Sequence, residues 1–339
     1  MNRISSGQFT VILLISSAFS FMCTAVPFSA EQMIASIIAI AIQIILCIPI
    51  LFVYKKGLDL EYTCSNLRWI TLLPIIYFLI RGSQSFVQIW NVSDSLSLPF
   101  SGDFLATAMI ALVCLYTASL GIKALARSTT MVFGILIFTL AVMLIGAYQN
   151  MHLQNLSFSP DNTIIKSVMY QLSYADELPI LLILLAFTSG NRTKSTMCFF
   201  GGSLILWEFI LFLGITVLGR LMKTSSYPFF MIANVSQPFS TQRSDALYLI
   251  LFVLLCVMRI TLFTVLSEHL LGIAFPKFKK YRSTACLLVM LIAASGFQAI
   301  QTEISRYNFI IVCFLMIFLP IIFFIQFKHY PKCKGEVHQ

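Results

Sequence analysis

The sequence predicts an all-α integral membrane protein of about ten transmembrane helices, and three observations carry that expectation. Hydrophobic residues make up 59% of the 339 positions and charged residues only 10%, giving a mean hydropathy of +0.91. A soluble domain of this composition would expose large apolar patches and associate through them. Apolar stretches of about 20 residues, the length that crosses a hydrocarbon core roughly 30 Å thick, follow one another with short polar joints. The cations, finally, collect in alternate joints. Nothing is left over for a soluble domain, so residues 1–339 read as a single transmembrane domain.

In chain order the spans are Gln8–Val26, Met33–Tyr54, Trp69–Trp90, Phe104–Ile122 and Met131–Tyr148, then Ile164–Thr188, Met197–Leu218, Leu247–Ser267, Thr284–Gln301 and Tyr307–Phe327. They form a first half of about 8–148, a second of about 164–327, and a short cytoplasmic tail, 328–339. Tyr54, Trp69, Trp90, Tyr148 and Tyr307 fall at span ends, where amphipathic rings favour the headgroup layer. Arg3, an apolar run and Phe28-Ser29-Ala30 have the outline of a cleaved signal peptide. That run is long for such a segment, carries Ser16, Ser17 and Ser20, and leads straight into another span. It is read as the first membrane helix.

Orientation follows from the basic residues. With a cytoplasmic N-terminus, the inner segments hold 15 of the 22 Lys and Arg, from Arg3, Lys55 and Lys56 through Lys123, Arg127, Arg192 and Lys194 to the tail. The outer segments hold five: Lys166, Arg220, Lys223, Arg243 and Arg306. Such a bias marks the cytoplasmic side. An even number of spans then leaves both termini cytoplasmic, in a multi-pass protein of the cell membrane.

Composition also excludes classes of function. The net charge of +9 sits in loops rather than in a basic run interleaved with aromatics, so nucleic acid is not an expected partner. The nine cysteines are scattered singly, without a Cys-x-x-Cys or a Cys/His cluster, so neither a metal site nor a disulfide framework is indicated. Sequons at Asn91, Asn155, Asn191 and Asn234 carry little weight, because the pattern is short and Asn191 falls on the cytoplasmic side. Hydrolase, zinc-protease and phosphate-loop motifs are missing, and His152, His269, His329 and His338 are dispersed. No catalysis and no cofactor is expected; a membrane acyltransferase would need a juxtamembrane catalytic His or acid pair.

What remains are polar residues inside apolar spans, which are costly there and mark a partner or a wet cavity. The third span carries Arg81-Gly82-Ser83-Gln84-Ser85, the seventh Glu208 and the eighth Arg259. In the sixth, Tyr174-Ala175-Asp176-Glu177 is followed by Pro179, with half a helix on either side. This reads as a discontinuous helix. The first span has its own polar interruption, Ser16-Ser17-Ala18-Phe19-Ser20. Interrupted helices at matching places in two inverted five-helix repeats mark the solute site of many secondary transporters. The expected ligand-binding residues are therefore Ser16, Ser17, Ser20, Arg81, Gln84, Tyr174, Asp176, Glu177 and Arg259. Blander readings stand beside this one. Asp176 and Glu177 end an outer loop, Arg81 and Arg259 neutralise Glu177 and Glu208 as structural pairs, and the serines are interhelical glue.

Scattered motifs through nearly the whole chain resemble the spore germination permease family, the B subunits of germinant receptors, within the amino acid–polyamine–organocation transporter superfamily. Ile4-Ser5-Ser6-Gly7-Gln8 with Pro27 resembles the family's opening, and Leu79-Ile80-Arg81 with Leu98-Pro99 its third helix and exit. Gly121-Ile122-Lys123-Ala124-Leu125-Ala126-Arg127 is similar to its joint between helices four and five, and Ser173-Tyr174-Ala175-Asp176-Glu177 to its broken sixth helix. Tyr227-Pro228, Arg243-Ser244-Asp245-Ala246-Leu247 and Arg259-Ile260-Thr261 resemble the run into and through helix eight. Departures are the missing glycine in the first helix and Lys123 where an acid is common. The resemblance implies a LeuT-like 5+5 inverted repeat with helices one and six discontinuous. It also implies a role in sensing a small nutrient germinant such as an amino acid at the spore inner membrane. The partners would be an A subunit and a lipoprotein C subunit. The alternative is a proton- or sodium-coupled amino-acid transporter of the same fold.

Overall fold

Large apolar side chains cover much of the outer surface of the bundle while several polar ones are buried, as lipid rather than water would impose. On helix α2 (Glu31–Lys55) Ile37, Ile45, Ile48 and Phe52 are 51–62% exposed, whereas Ser36 and Gln43 are buried. The computed structural model describes residues 3–22, 29–55, 68–95, 104–156, 164–223, 227–237, 244–276, 281–297 and 301–329. Within them the chain is almost entirely helical. The remaining helices are α1 (Ser6–Met22), α3 (Arg68–Ser95), α4 (Phe104–Ser119), α5 (Ile122–Ala147), α6 (Ile164–Leu172) and α7 (Glu177–Phe187). They continue with α8 (Arg192–Leu218), α9 (Pro228–Val235), α10 (Asp245–Ala274), α11 (Arg282–Phe297) and α12 (Gln301–His329).

By length and composition α2, α3, α5, α8 and α10 suffice to cross a membrane. The pair α6–α7, bent by 41°, makes a sixth if counted as one span. Apolar stretches in α1, α4, α11 and α12 are shorter, at 10–17 residues. This is a helical membrane protein. Pro49, Pro74 and Pro320 lie inside α2, α3 and α12, as membrane helices tolerate.

The two expected helix breaks have different outcomes. The sixth span is interrupted between Leu172 and Glu177, and Pro179 is one local contribution to the break. A continuous helix would need the Pro179 N–H to reach the Ala175 carbonyl, and the ring would clash there. Restarting at Glu177 places Pro179 in the first turn of α7, where a missing N–H costs nothing. The first span, by contrast, is not discontinuous at its serines: α1 runs unbroken through Ser16, Ser17 and Ser20. Serine keeps its backbone N–H and adds no clash, so a serine run gives no reason to break, and the Ser17 and Ser20 hydroxyls find partners on other helices. Val26 and Pro27, the expected end of that helix, lie outside the described residues, as does the tail from 330.

In the packing, α3 and α10 cross at the centre, with α11 against α3 and α4 against α10. Around them α1 packs on α5, α8 and α10, while α2 packs on α6, α8 and α12. Trp69 and Tyr148 are exposed at helix ends as expected for headgroup anchors, and Tyr307 is exposed inside α12, which begins at Gln301. Tyr54 is not: it is buried, and its hydroxyl donates to the Leu182 carbonyl at 2.7 Å. A two-residue parallel ladder pairs β1 (Ile4–Ser5) with β2 (Thr188–Ser189), tying the start of α1 to the joint between α7 and α8.

That joint turns at Gly190, whose φ of +108° is a conformation L side chains rarely adopt. A Cβ there would lie 2.9 Å from Ser6 Oγ. Gly190→Ala is expected to destabilise the protein by about 1–3 kcal/mol. Gly7→Ala, in the first turn of α1 with open space around it, is expected to be neutral or mildly stabilising. Thermal melting of both variants in detergent checks the pair, and equal behaviour contradicts the strained turn.

Candidate functional site

The α6–α7 break folds back on itself through short backbone bonds, Tyr174 N–H to Gln171 O at 3.1 Å and Asp176 N–H to Tyr174 O at 2.8 Å. The turn delivers the Asp176 and Glu177 side chains into the middle of the bundle, with Asp176 completely buried. Neither acid ends an outer loop in bulk water. An ionised carboxylate so placed must find donors, and Asp176 finds four. Its Oδ1 accepts from the Tyr77 hydroxyl at 3.0 Å and from Asn308 Nδ2 at 2.8 Å. Its Oδ2 accepts from both Arg81 and Arg259. Asn308 also donates to the Ser173 carbonyl at 2.6 Å, so α12 clamps the turn from behind.

The arginines are shared out with care. Arg81 donates its second amino group to the Gln84 side-chain oxygen one turn along α3. Arg259 donates to the Ser16 carbonyl at 2.8 Å and to Ser20 Oγ. Ser20 in turn donates to Glu177 Oε1 at 3.3 Å, so one hydroxyl links the second guanidinium to the second acid. The Arg259 guanidinium lies over the rings of Phe19 and Phe263 at 4.7 and 5.3 Å, where aromatic faces attract a cation without supplying water. The blander alternative, Arg81 and Arg259 paired with Glu177 and Glu208, is not what forms: both take Asp176, and Glu208 accepts from Ser36 on α2. The serines do act as interhelical links, since Ser17 accepts from Trp207 Nε1 at 2.7 Å and lies 3.3 Å from the Ser203 hydroxyl.

Two small cavities share Trp207 and Gln171 in their linings, and Glu177 borders one of them. One is lined by Ser20, Phe21, Gln32, Tyr170 and Tyr174; the other by Ser17, Ala39, Gln43, Glu177 and Ser203; both include Trp207 and Gln171. Each has about 10 Å³, close to the least that holds one water. Gln171 donates to the Gln32 carbonyl at 2.8 Å, and its side-chain oxygen has no hydrogen-bond partner among the described residues. The same holds for Gln84 Nε2, Arg81 Nε and Arg259 Nε.

All nine expected residues therefore meet in one region. Ser20, Arg81, Gln84, Asp176, Glu177 and Arg259 form the network, Ser16 contributes its carbonyl, and Ser17 and Tyr174 line the cavities. Sequence reasoning missed Tyr77, Asn308, Gln171 and Trp207. Tyr77 stands four residues before Arg81 on the same face of α3, and Asn308 is a lone amide beside an apolar run, so both carried a signal. Among the described residues no group of three or more His, Cys, Asp or Glu is placed to hold a metal ion. Comparison with protein-family models and with curated proteins gives no match.

Two guanidinium groups face two carboxyl groups, so the balance of charge rather than any one contact holds the region together. Asp176→Asn leaves two buried cations against Glu177 alone and is expected to cost about 3–5 kcal/mol. Adding Arg81→Gln restores the balance and is expected to recover part of the loss. Melting temperatures of the single and double variants in detergent test this; a double variant less stable than Asp176→Asn contradicts it.

Proposed function

We propose that the chain is a membrane receptor subunit that binds a small zwitterion such as an amino acid beside Glu177, in the manner of the spore germination permease family it resembles. The observation that carries the reading is the broken α6–α7 span, which gathers two guanidinium and two carboxyl groups into one polar network in the core of a membrane bundle. A balanced site favours a ligand that brings no net charge, because an ion of either sign would leave one buried charge unpaired. The ammonium is assigned to Glu177 and the open oxygen of Gln171, and the carboxylate to the donors at Arg81, Arg259 and Gln84. With α1 unbroken at its serines, no backbone groups are freed there, and the first helix contributes Ser17 and Ser20 instead.

The packing supports two repeats related by a pseudo-two-fold axis. Exchanging α1 with α6–α7, α2 with α8, α3 with α10, α4 with α11 and α5 with α12 turns several observed contacts into other observed contacts. Thus α2 on α6 becomes α8 on α1, α3 on α11 becomes α10 on α4, and α5 on α10 becomes α12 on α3. If each member crosses once, five crossings per half invert the second half, giving ten spans in a LeuT-like arrangement with both termini cytoplasmic. On the family reading the partners are an A subunit and a lipoprotein C subunit in the spore inner membrane.

Cavities of one water each do not admit an amino acid, so binding requires Trp207 and Gln171 to move apart, and the ligand shifts the balance toward that opened form. Signalling would read out this shift. One feature favours the transporter alternative: Glu177 lies against the cavity, where an acid can exchange a proton with a solute. Purified chain in nanodiscs, titrated with a panel of amino acids, is expected to bind at least one, with Glu177→Gln weakening it by about tenfold or more. An unchanged affinity removes Glu177 from the site. Concentrative uptake into proteoliposomes decides for transport, and binding without flux for the receptor.

A further inference from the structure

At the opposite end of α7 from the buried network, a third cavity, of about 380 Å³, opens between the β1–β2 ladder, the last turn of α2 and the first turn of α8. Its walls bring together three cations from three separate segments: Arg3 before β1, Lys55 at the end of α2 and Arg192 at the start of α8. No carboxylate lines it among the described residues. Like charges gathered around one concavity repel unless an anion sits among them.

We propose that this cavity is a binding site for a phosphate group. The backbone adds to the side chains. Asn191 caps α8 by accepting from the Lys194 N–H at 3.1 Å, while the helical pattern gives the N–H groups of Arg192 and Thr193 no acceptor within α8. Donors at a helix start, aided by its dipole, are the usual ground for phosphate recognition. The Arg192 guanidinium lies over the Tyr54 ring at 4.9 Å, and Tyr54 is itself pinned to α7 through its hydroxyl, so this cation is held in place at the cavity. The space suits a phosphate or the phosphodiester of a lipid headgroup. Because β1 leads into α1 and β2 follows α7, an occupant would brace the two helices that carry Ser20 and Glu177. The inference stands apart from what the buried chamber binds.

The test uses the full chain in detergent, with an Arg3→Gln, Lys55→Gln, Arg192→Gln triple variant and a Lys123→Gln, Arg127→Gln control that removes exposed cations elsewhere. One arm measures radiolabelled inorganic phosphate by equilibrium dialysis; the other measures retained phosphatidylglycerol against phosphatidylcholine by native mass spectrometry. Wild type and control are expected to hold at least one probe about tenfold more tightly than the triple variant. Binding in the first arm assigns free phosphate, and binding in the second arm alone assigns a lipid headgroup. If the triple variant does not fold, Lys55→Gln, at an exposed side chain, is to weaken binding about two- to threefold. Equal binding by wild type and variant, or an equal loss in the control, overturns the proposal.

Discussion

The Asp176 carboxylate, stripped of water, is held by a phenol, an amide and two guanidinium groups. These donors come from α3, α10 and α12, and the acceptor sits on the turn between α6 and α7. One anion therefore draws four elements of the bundle to a common point. In an apolar surround an unpaired carboxylate is costly enough that the arrangement is close to obligatory: wherever Asp176 goes, its donors must follow. The rest of the site is arranged by this demand. Arg259 gives one amino group to Asp176 and the other to the Ser16 carbonyl and Ser20 on α1, and Ser20 brings Glu177 into the same network.

A broken helix is what makes the arrangement possible. Had residues 164–187 formed one regular span, successive side chains would fan out by the helical repeat, and Asp176 and Glu177 could not both face the centre while the Ser173 carbonyl remained open to Asn308. The turn frees that carbonyl and swings both acids inward. Pro179 favours the turn by denying the residue 175 carbonyl its helical donor. Pro49, Pro74 and Pro320 lie inside continuous helices, however, so the demand of Asp176 for its donors completes the break. Local chemistry and tertiary chemistry here point the same way, which is the mark of a consistent sequence.

The membrane class and the rough place of the long apolar helices were legible because hydropathy follows solvent, and lipid is a uniform solvent. Yet α9 falls in a segment expected as an outer joint, and α5 begins at Ile122 rather than Met131. The sixth-span break was legible too, because proline acts through its own backbone. The first-span break was misread for the opposite reason. Serines in lipid indicate a need for partners, and they meet that need equally well on an intact helix, as Ser17 does with Trp207. Which acid the arginines choose was not legible at all. Glu208 and Asp176 look alike in sequence, and only the three-dimensional course of α8 sends Glu208 toward Ser36 instead. Asn308 carried only a weak signal, because a single amide near a span end is ordinary until something opposite requires it.

The most direct measurement is a cryo-electron microscopy map of the full chain in a lipid nanodisc, read at residues 164–187. The account requires a turn near Ser173–Asp176, with the Asp176 side chain within hydrogen-bonding distance of Tyr77, Arg81, Arg259 and Asn308. Density for one unbroken helix across that segment, with Asp176 facing solvent and the two arginines paired elsewhere, would contradict it.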